Sequence, residues 1–231
     1  MMTTAQTNPM TGINAYGKEL TNEDIDNNIH RNFVGGLWEE LGQLQCDFLK
    51  KQGLQPAHRL LDIGCGCLRG GLHFINYLEA GNYYGLDINS SLIQAGLIEA
   101  EKAGLKDKRP HLLVNDKFKL DQFGADFDFM VSISLFTHLP MNNIIRCLSE
   151  ARKHLKPGGS YFATFFAAPT SAYLDKLRHQ PGGIVTHYDL DPFHYSFEEL
   201  SWMAALSGLE ARLIGDWNHP RDQQMAAFSV R

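Results

Sequence analysis

The stretch Arg59-Leu-Leu-Asp-Ile-Gly-Cys-Gly-Cys-Leu-Arg-Gly-Gly71 joins a short apolar run to a loop rich in glycine. The run at 60–63 predicts a buried strand, and the pattern after it predicts a helix. Four glycines lie in the stretch: Gly64, Gly66, Gly70 and Gly71. Because glycine has no Cβ, the backbone of such a loop can turn tightly and lie flat against a ligand. The stretch therefore predicts a strand, a loop and a helix, with a ligand site at the loop.

Asp62 lies just inside the end of this strand and bears on which ligand the loop takes. Dinucleotide sites place a phosphate at the start of the helix, and a nearby carboxylate repels phosphate but favours a cationic or amino-bearing group. The pattern Asp-x-Gly-x-Gly resembles motif I of the class I S-adenosylmethionine (SAM) methyltransferases. SAM carries a sulfonium and an α-amino group and no phosphate, which agrees with Asp62. Two other interpretations stay open: a loose nicotinamide fingerprint, Gly64-x-Gly66-x-x-x-Gly70, and a turn that binds nothing.

The composition is that of a globular protein with one domain. The chain has 231 residues, a hydrophobic fraction of 44% and a formal net charge of −5. No apolar run reaches the roughly 18–20 residues that span a bilayer, and the N-terminus has no signal-peptide core, so we expect a cytoplasmic protein without a membrane partner. No cluster of Lys and Arg stands out, which argues against nucleic acid as a partner. The four cysteines have neither disulfide nor metal spacing, so we expect free thiols and no metal.

The order of predicted elements indicates a Rossmann-like α/β fold. We divide the chain into a flexible N-terminal arm at 1–28 and a class I methyltransferase domain at 29–231. The predicted strands are 59–65, 82–88, 111–115, 127–134 and 160–167, with helices 71–79, 90–103 and 141–155 between them. This alternation predicts a mostly parallel sheet with helices on both faces. A capping box, Ser196 with Glu199, opens a last helix, and strands 210–217 and 223–230 follow as an antiparallel hairpin. The arrangement resembles the seven-stranded methyltransferase sheet.

Candidate cofactor residues lie at the carboxyl ends of the predicted strands, where open parallel sheets bind ligands. Asp87 ends the second strand and can accept hydrogen bonds from ribose hydroxyls, in SAM and NAD sites alike. The resemblance implies that Asp116 accepts from the adenine amino group and that Ser134 borders the methionine part of SAM. Arg69 either grips the SAM carboxylate, which we favour, or pairs with an acid. The complete predicted cofactor set is Asp62, Gly64, Cys65, Gly66, Arg69, Asp87, Ile88, Asp116 and Ser134.

Candidate residues for the acceptor follow the fourth strand and recur near the end of the chain. His138 is the histidine best placed by topology to act as a general base, and a plain helix entry is the alternative for its turn. The irregular segment 168–195 is predicted to be an insertion on the substrate side. The turn after the sixth strand should face the same edge, and turn chemistry alone is the alternative for it. The predicted catalytic residues are His138, His194 and His219, and the predicted acceptor contacts are Arg221, suited to carboxylate or phosphate, and Tyr195.

The segment 33–38 has two glycines beside aromatic residues. Such a sequence suits a lid that closes over bound SAM, and a packed helix N-terminus is the alternative.

The resemblance implies transfer of a methyl group from SAM to a small molecule, and we predict a hydroxyl oxygen as the acceptor atom, reached by in-line displacement. Three alternatives stay open. They are a methyltransferase that modifies a protein or nucleic acid, a Rossmann enzyme that uses a nicotinamide or nucleotide-sugar, and a SAM-binding module without activity. Monomer and homodimer are both compatible with the sequence.

Overall fold

A central sheet organises the protein, for which the computed structural model describes residues 15–230. Its strands are β1 Leu60–Ile63, β2 Tyr83–Asp87, β3 His111–Val114, β4 Phe127–Ser132, β5 Leu155–Ala167, β6 Leu177–Arg178, β7 Val185–Thr186, β8 His194–Tyr195, β9 Leu209–Gly215 and β10 Gln223–Val230. Eight of them form the sheet: seven lie in the order β3-β2-β1-β4-β5-β10-β9, and β8 pairs with β5 beside this path. Strands β1 to β5 pair in parallel. The predicted α/β fold with a mostly parallel sheet is confirmed, and the sheet has one strand more than the seven predicted.

Helices cover both faces of the sheet. They are α1 Asn22–Asp26, α2 Ile29–Phe33, α3 Trp38–Lys51, α4 Gly71–Tyr77, α5 Ser90–Lys102, α6 Met141–His154 and α7 Phe197–Leu206. Successive side chains of a strand point to opposite faces, and β1 follows this rule. Leu60 packs with buried residues of α3, α4 and α5, whereas Leu61 and Ile63 pack with those of α6 and α7. Every residue of β1 is buried, as expected for a central parallel strand.

The C-terminal hairpin brings a distant turn to the edge where the parallel strands end. Strand β10 lies between β5 and β9 and is antiparallel to both. Strand β9 therefore runs in the same direction as β5, and the turn 216–222 follows its carboxyl end. The hairpin and the side of its turn agree with the prediction.

The insertion 168–195 is partly tied to the sheet. Strands β6 and β7 pair as a separate antiparallel ladder, and β8 pairs in parallel with the end of β5. Strand β5 itself begins at Leu155 rather than at the predicted residue 160, because the chain through Pro157 stays extended and joins β4 with an irregular register.

Residues 15–28, for which a flexible arm or a cap was expected, pack against the start of α5. Asn89 Nδ2 donates to Tyr16 O and Lys18 O, both at 2.8 Å. The backbone N–H of Leu20 donates to Ser91 Oγ at 2.8 Å, and Ile25 is buried. Residues 1–14 of the predicted arm lie outside the described residues.

Three expectations from composition concern membranes, thiols and metals. Of the helices described, none combines the length and apolar content needed to cross a bilayer. The four cysteines are buried free thiols. Within residues 15–230, no three His, Cys, Asp or Glu side chains are grouped so that they could hold a metal ion.

Candidate functional site

A cleft lies at the carboxyl ends of β1, β2 and β4. Its volume is about 950 Å³, including the space at its mouth. The walls are the glycine loop, the residues after β2, β3 and β4, and positions from the N-terminal region. The predicted residues that line it are Asp62, Gly64, Cys65, Gly66, Arg69, Asp87, Ile88, Ser134 and His138. The structure thus brings together the whole predicted cofactor set except Asp116.

The glycine loop is fixed to the end of β2 by its own backbone. Gly64 N and Cys65 N both donate to Leu86 O, at 2.7 and 3.0 Å. The φ of Gly64 is +82° and that of Gly66 is +53°, conformations that glycine adopts without a Cβ penalty. Gly66 N donates to Asp87 Oδ2 at 2.8 Å. The loop therefore holds the Asp87 carboxylate at the floor of the cleft.

Two carboxyl groups, the buried Asp62 and the partly buried Asp87, lie at this end of the cleft. Asp62 accepts from the Tyr83 hydroxyl at 2.9 Å, and burial raises the pKa of Asp62 to about 7. Asp87 accepts from Gly66 N and from Asn89 N, the latter at 3.0 Å. Burial raises its pKa also, against the lowering effect of these backbone N–H groups. A cation or a set of hydroxyl donors would stabilise the ionised form of both groups.

The Cys65 side chain packs tightly against β2. A Cβ built on Gly85 would lie 2.9 Å from Cys65 Sγ and 2.8 Å from Leu112 Cδ2. Burial raises the pKa of the Cys65 thiol well above its usual value. The thiol is therefore a packing group and is not poised as a nucleophile.

The chain after β4 forms the wall opposite the loop. Ser134 has a φ of +60°, and its N–H donates to Thr164 Oγ1 at 2.7 Å. His138 Nδ1 is hydrogen bonded to Asp191 Oδ1 of the insertion. The His138 ring also meets the Tyr16 ring edge-on, with centroids 4.7 Å apart. A histidine with a carboxylate partner thus lines the cleft.

Segment 34–36 is held by two arginines. Arg69 Nη1 donates to Val34 O at 2.8 Å and to Gly36 O at 2.9 Å. Arg221 Nη2 donates to Gly35 O. Val34 also lines the cleft, so the predicted lid segment borders the site. Whether it moves with a bound ligand stays a prediction.

Five predicted residues lie outside the cleft lining. In place of Asp116, the neighbouring Asn115 lines it. Tyr195 is buried and donates to Leu139 O at 2.6 Å. His194 is also buried, with Nδ1 2.9 Å from Thr186 Oγ1 and Nε2 2.8 Å from Tyr173 O. Both residues therefore support the insertion, and neither reaches the cleft as a catalytic or acceptor-binding group. His219 and Arg221 lie on the 216–222 turn beside segment 34–36.

Sequence reasoning missed Tyr16, Asn115 and Asp191. Tyr16 lies in a polar stretch without periodicity, and contacts with residues distant in sequence, Asn89 and His138 among them, place it in the site. Asn115 directly follows β3 and precedes Asp116, the residue that was predicted. Asp191 belongs to a segment crowded with histidines, tyrosines and acids, and the sequence offered no means of choosing among them.

Comparison with known proteins identifies the domain. Residues 61–161 match the methyltransferase domain family. The 24-methylenesterol C-methyltransferase 2 of Oryza sativa subsp. japonica is 33% identical over 125 residues, which are 54% of this chain and 33% of that enzyme. The sterol 24-C-methyltransferase of Yarrowia lipolytica is 30% identical over 111 residues, 48% of this chain and 28% of that enzyme. The matched region thus spans about a third of the length of these curated relatives.

Solved structures share the fold over nearly the whole chain. The CcbJ methyltransferase from Streptomyces caelestis has a TM-score of 0.69 at 16% identity, covering 93% of this chain and 97% of that one. The magnesium protoporphyrin IX methyltransferase (ChlM) from Synechocystis PCC 6803, solved with bound SAM, has a TM-score of 0.60 at 14% identity, covering 94% and 88%. At these identities the likeness is one of fold. The matched methyltransferase domain contains the Asp-x-Gly-x-Gly loop, and the chain around it has the fold of SAM-dependent methyltransferases.

Proposed function

We propose that the protein transfers a methyl group from SAM to a hydroxyl oxygen of a small molecule, in the cleft between the glycine loop and His138. The observation that carries the cofactor assignment is a loop whose first amides are already bonded, placed beside two carboxyl groups. The acceptor atom rests on the pairing of His138 with Asp191.

The hydrogen-bonded amides of the glycine loop favour SAM over a nicotinamide or nucleotide-sugar cofactor. Gly64 N and Cys65 N are used by Leu86 O, and Gly66 N is used by Asp87. Loops that bind a pyrophosphate use backbone N–H groups of this kind, and these three are already taken. An Asp62 carboxylate close by would also repel it. This arrangement favours a cofactor that has no phosphate.

The carboxyl groups fit the polar parts of SAM. Each Asp87 oxygen accepts one backbone hydrogen bond and has a second lone pair, so the group can also accept from two ribose hydroxyls. Asp62 lines the same cleft and would face an amino group with the charge that stabilises it. Asn115, directly after β3, lines the cleft next to the position where the resemblance placed the adenine acceptor, Asp116.

His138 is suited to remove the proton from an acceptor hydroxyl. When bound, SAM supplies a methyl group activated by a positively charged sulfur. The chain has to align the acceptor and, if the acceptor is a neutral hydroxyl, take up its proton. Asp191 at Nδ1 orients the imidazole and stabilises the imidazolium that forms when Nε2 receives that proton. This pairing supports oxygen as the methylated atom.

The likenesses support a small acceptor. The two sterol methyltransferases act, by name, on sterols, and ChlM acts on magnesium protoporphyrin IX. The net charge of −5 disfavours a nucleic acid substrate, which needs a cationic surface.

Binding tests the cofactor. S-adenosylhomocysteine (SAH) titrated into ligand-free protein should bind with micromolar affinity, and NAD should not bind. Asp87→Asn should weaken SAH at least about tenfold, because each charged hydrogen bond contributes roughly 1.5–3 kcal/mol. Binding of NAD alone would return the chain to the oxidoreductase alternative.

Turnover tests the base, using labelled SAM and hydroxylated small molecules as acceptors. His138→Gln should lower kcat by about 10²- to 10⁴-fold and leave SAH affinity within threefold, roughly, of wild type. His154→Gln is the matched control. His154 ends α6 outside the cleft lining, and its Nδ1 lies 3.4 Å from Asp126 Oδ1, so it too is a histidine beside a carboxylate. Equal turnover in the two variants would rule out His138 as the base.

A further inference from the structure

Arg69, His219 and Arg221 form a cationic cluster at the border of the cleft. Arg69 is 8% exposed and His219 is 4% exposed, while Arg221 is partly exposed. Arg69 lines the cleft, and the other two lie on the 216–222 turn. In the chain from 15 to 230, neither guanidinium forms an ion pair with a carboxylate. Buried cations are normally paired, whereas the carboxyl group whose charge acts on Arg69, Asp62, is not within ion-pair distance and is bonded to Tyr83.

The hydrogen bonds of the cluster do not use all of its N–H donors. Arg69 Nη1 and Arg221 Nη2 donate to the carbonyls of segment 34–36, which are dipoles and carry no net charge. Arg69 Nε is buried without a partner in the described chain. An unbonded buried donor of this kind costs free energy, about 1–3 kcal/mol.

The tautomer of His219 adds a second donor. Its Nδ1 accepts from the backbone N–H of Arg221 at 3.2 Å. Burial, with Arg69 and Arg221 nearby, lowers the pKa of His219 to about 3, so the ring is neutral. A neutral ring that accepts at Nδ1 carries its proton at Nε2. His219 Nε2 is buried without a partner among residues 15–230, and it is therefore an unused N–H donor.

The nearby carboxylates already have other partners. Asp222 Oδ2 lies 3.5 Å from His179 Nδ1, and Asp191 pairs with His138. The insertion fixes Arg221 in place, since a Cβ on Gly182 would lie 2.7 Å from Arg221 Cα. The cluster thus presents two positive charges and two unused donors, and no acceptor side chain.

The cluster lies close to the proposed reaction centre. Arg69, the partly buried Tyr16 and His138 line the same cleft, and the Tyr16 ring contacts the His138 ring. The charges of Arg69 and Arg221 both act on the Tyr16 hydroxyl. An acceptor held between the two arginines at this border would therefore enter the cleft that His138 lines.

We propose that this cluster binds an anionic group, a carboxylate or phosphate, of the acceptor, so that the substrate is an anionic hydroxylated small molecule. The inference rests on the proposed function. The carboxylate of SAM could neutralise Arg69, but one carboxylate leaves the Arg221 charge unpaired. Arg221 with His219 then forms a subsite of its own for the acceptor.

Inorganic phosphate tests the subsite. It is titrated, at constant ionic strength, into the protein with and without saturating SAH. We expect phosphate to bind the SAH-saturated wild type, to bind Arg221→Gln at least tenfold more weakly, and to bind Arg212→Gln as it binds wild type. Arg212 is the matched control because it is exposed on β9. Unchanged SAH affinity in both variants shows that they are folded.

Three outcomes would overturn the proposal. Phosphate that binds only without SAH would assign the cluster to the cofactor carboxylate, and equal binding to wild type and Arg221→Gln would mean an adventitious ion only. If SAH does not bind the wild type, the proposed function fails. The anion site would still be supported if phosphate bound the wild type and not Arg221→Gln.

Turnover provides a second test. Arg221→Gln should raise KM at least tenfold for an acceptor with a carboxylate and should change KM little for the methyl ester of the same acceptor. An equal change for both would also overturn the proposal.

Discussion

Asp62 should make cofactor binding depend on pH. Burial raises the pKa of this carboxyl to about 7, against the lowering effect of the Tyr83 hydrogen bond. The ammonium group of SAH favours the ionised carboxylate, so affinity should be highest above pH 7 and fall about tenfold per pH unit below it. Calorimetry from pH 5.5 to 8 would measure the slope. Asp62→Asn should bind more weakly with no slope, and a flat wild-type profile would contradict the assignment.

The same carboxyl should lower the stability of the ligand-free protein at high pH. Its pKa is near 3.9 in an unfolded chain, so its raised value in the folded chain means that stability is lost as pH rises through about 7. Asp62→Asn should therefore raise the free energy of unfolding by roughly 1–3 kcal/mol at pH 8 and change it little at pH 4. Urea denaturation at both pH values would measure this.

Asp128 provides a control of opposite sign. Burial alone would raise the pKa of Asp128, but the hydrogen bond from Lys156 holds this pKa below its usual value. Asp128→Asn should lower stability at pH 8. If Asp62→Asn and Asp128→Asn both lowered stability at pH 8, the ionised Asp62 carboxylate would not destabilise the fold.

Local spacing explains which site residues could be predicted. Asp62 and the glycines belong to one short motif, and Asp87 follows from the end of the next strand. The choice between Asn115 and Asp116 could not be made in this way, because adjacent residues after a strand differ only in loop conformation. Asn115 Oδ1 accepts from Lys117 N and Lys119 N, and its own N–H donates to Asp87 O. These bonds fix which neighbour lines the cleft.

Helix α5 and the segment 15–20 share one asparagine. Asn89 Oδ1 caps the helix through Ser91 N and Leu92 N, while Nδ2 donates to Tyr16 O and Lys18 O. Asn89→Asp keeps the cap, since aspartate is an equally good N-cap, but it replaces the donors with a charge facing two carbonyls. Amide exchange in residues 15–20 should accelerate at least about tenfold, with α5 still protected.

Asn142→Asp is the control for that change, because Asn142 is exposed in the first turn of α6. It should leave exchange at 15–20 as in wild type. Unchanged exchange in Asn89→Asp would show that the segment is held by its apolar contacts alone.

Elements with their own periodicity were predictable, and elements that depend on distant partners were not. The helices α5 and α6 agree with the predicted ranges within one residue at each end. Strand β8 has only two residues and exists through its pairing with β5. The segment 15–28 has no core of its own and is ordered by α5, which no local pattern reveals.

A ligand in the cleft should stabilise the entire fold. The lining runs from Tyr16 to Leu139, so the site exists only in the folded chain. At a concentration one hundred times its Kd, SAH should raise the free energy of unfolding by about 2.7 kcal/mol. For a chain of this length that is a rise in Tm of roughly 5–10 °C. Thermal unfolding with SAH and with NAD measures this, and an equal shift from both would contradict a SAM site.

The general topology could be predicted from the sequence, whereas contacts between residues distant in the sequence could not. Alternating elements and a short final turn predict a mostly parallel sheet that ends in an antiparallel hairpin, and the resemblance to methyltransferases supplies the rest of the arrangement. The approach of Arg221 to Arg69 requires the hairpin turn, the insertion and segment 34–36 to be placed together. Nothing in the spacing of either residue contains that information.

Cys65 and Gly85 constrain each other's evolution. Alanine at 85 would press against Cys65 Sγ at 2.9 Å and against Leu112 Cδ2 at 2.8 Å. The Leu112 methyl group is the end of a flexible side chain and can shift, whereas the sulfur is relieved only by a smaller residue at 65. The two positions should therefore co-vary among homologues, with alanine at 85 where 65 is glycine or alanine. A mutational library should recover Gly85→Ala together with such a change and not alone. The order in which substitutions can accumulate in this loop is thus set by one sulfur atom and the leucine side chain beside it.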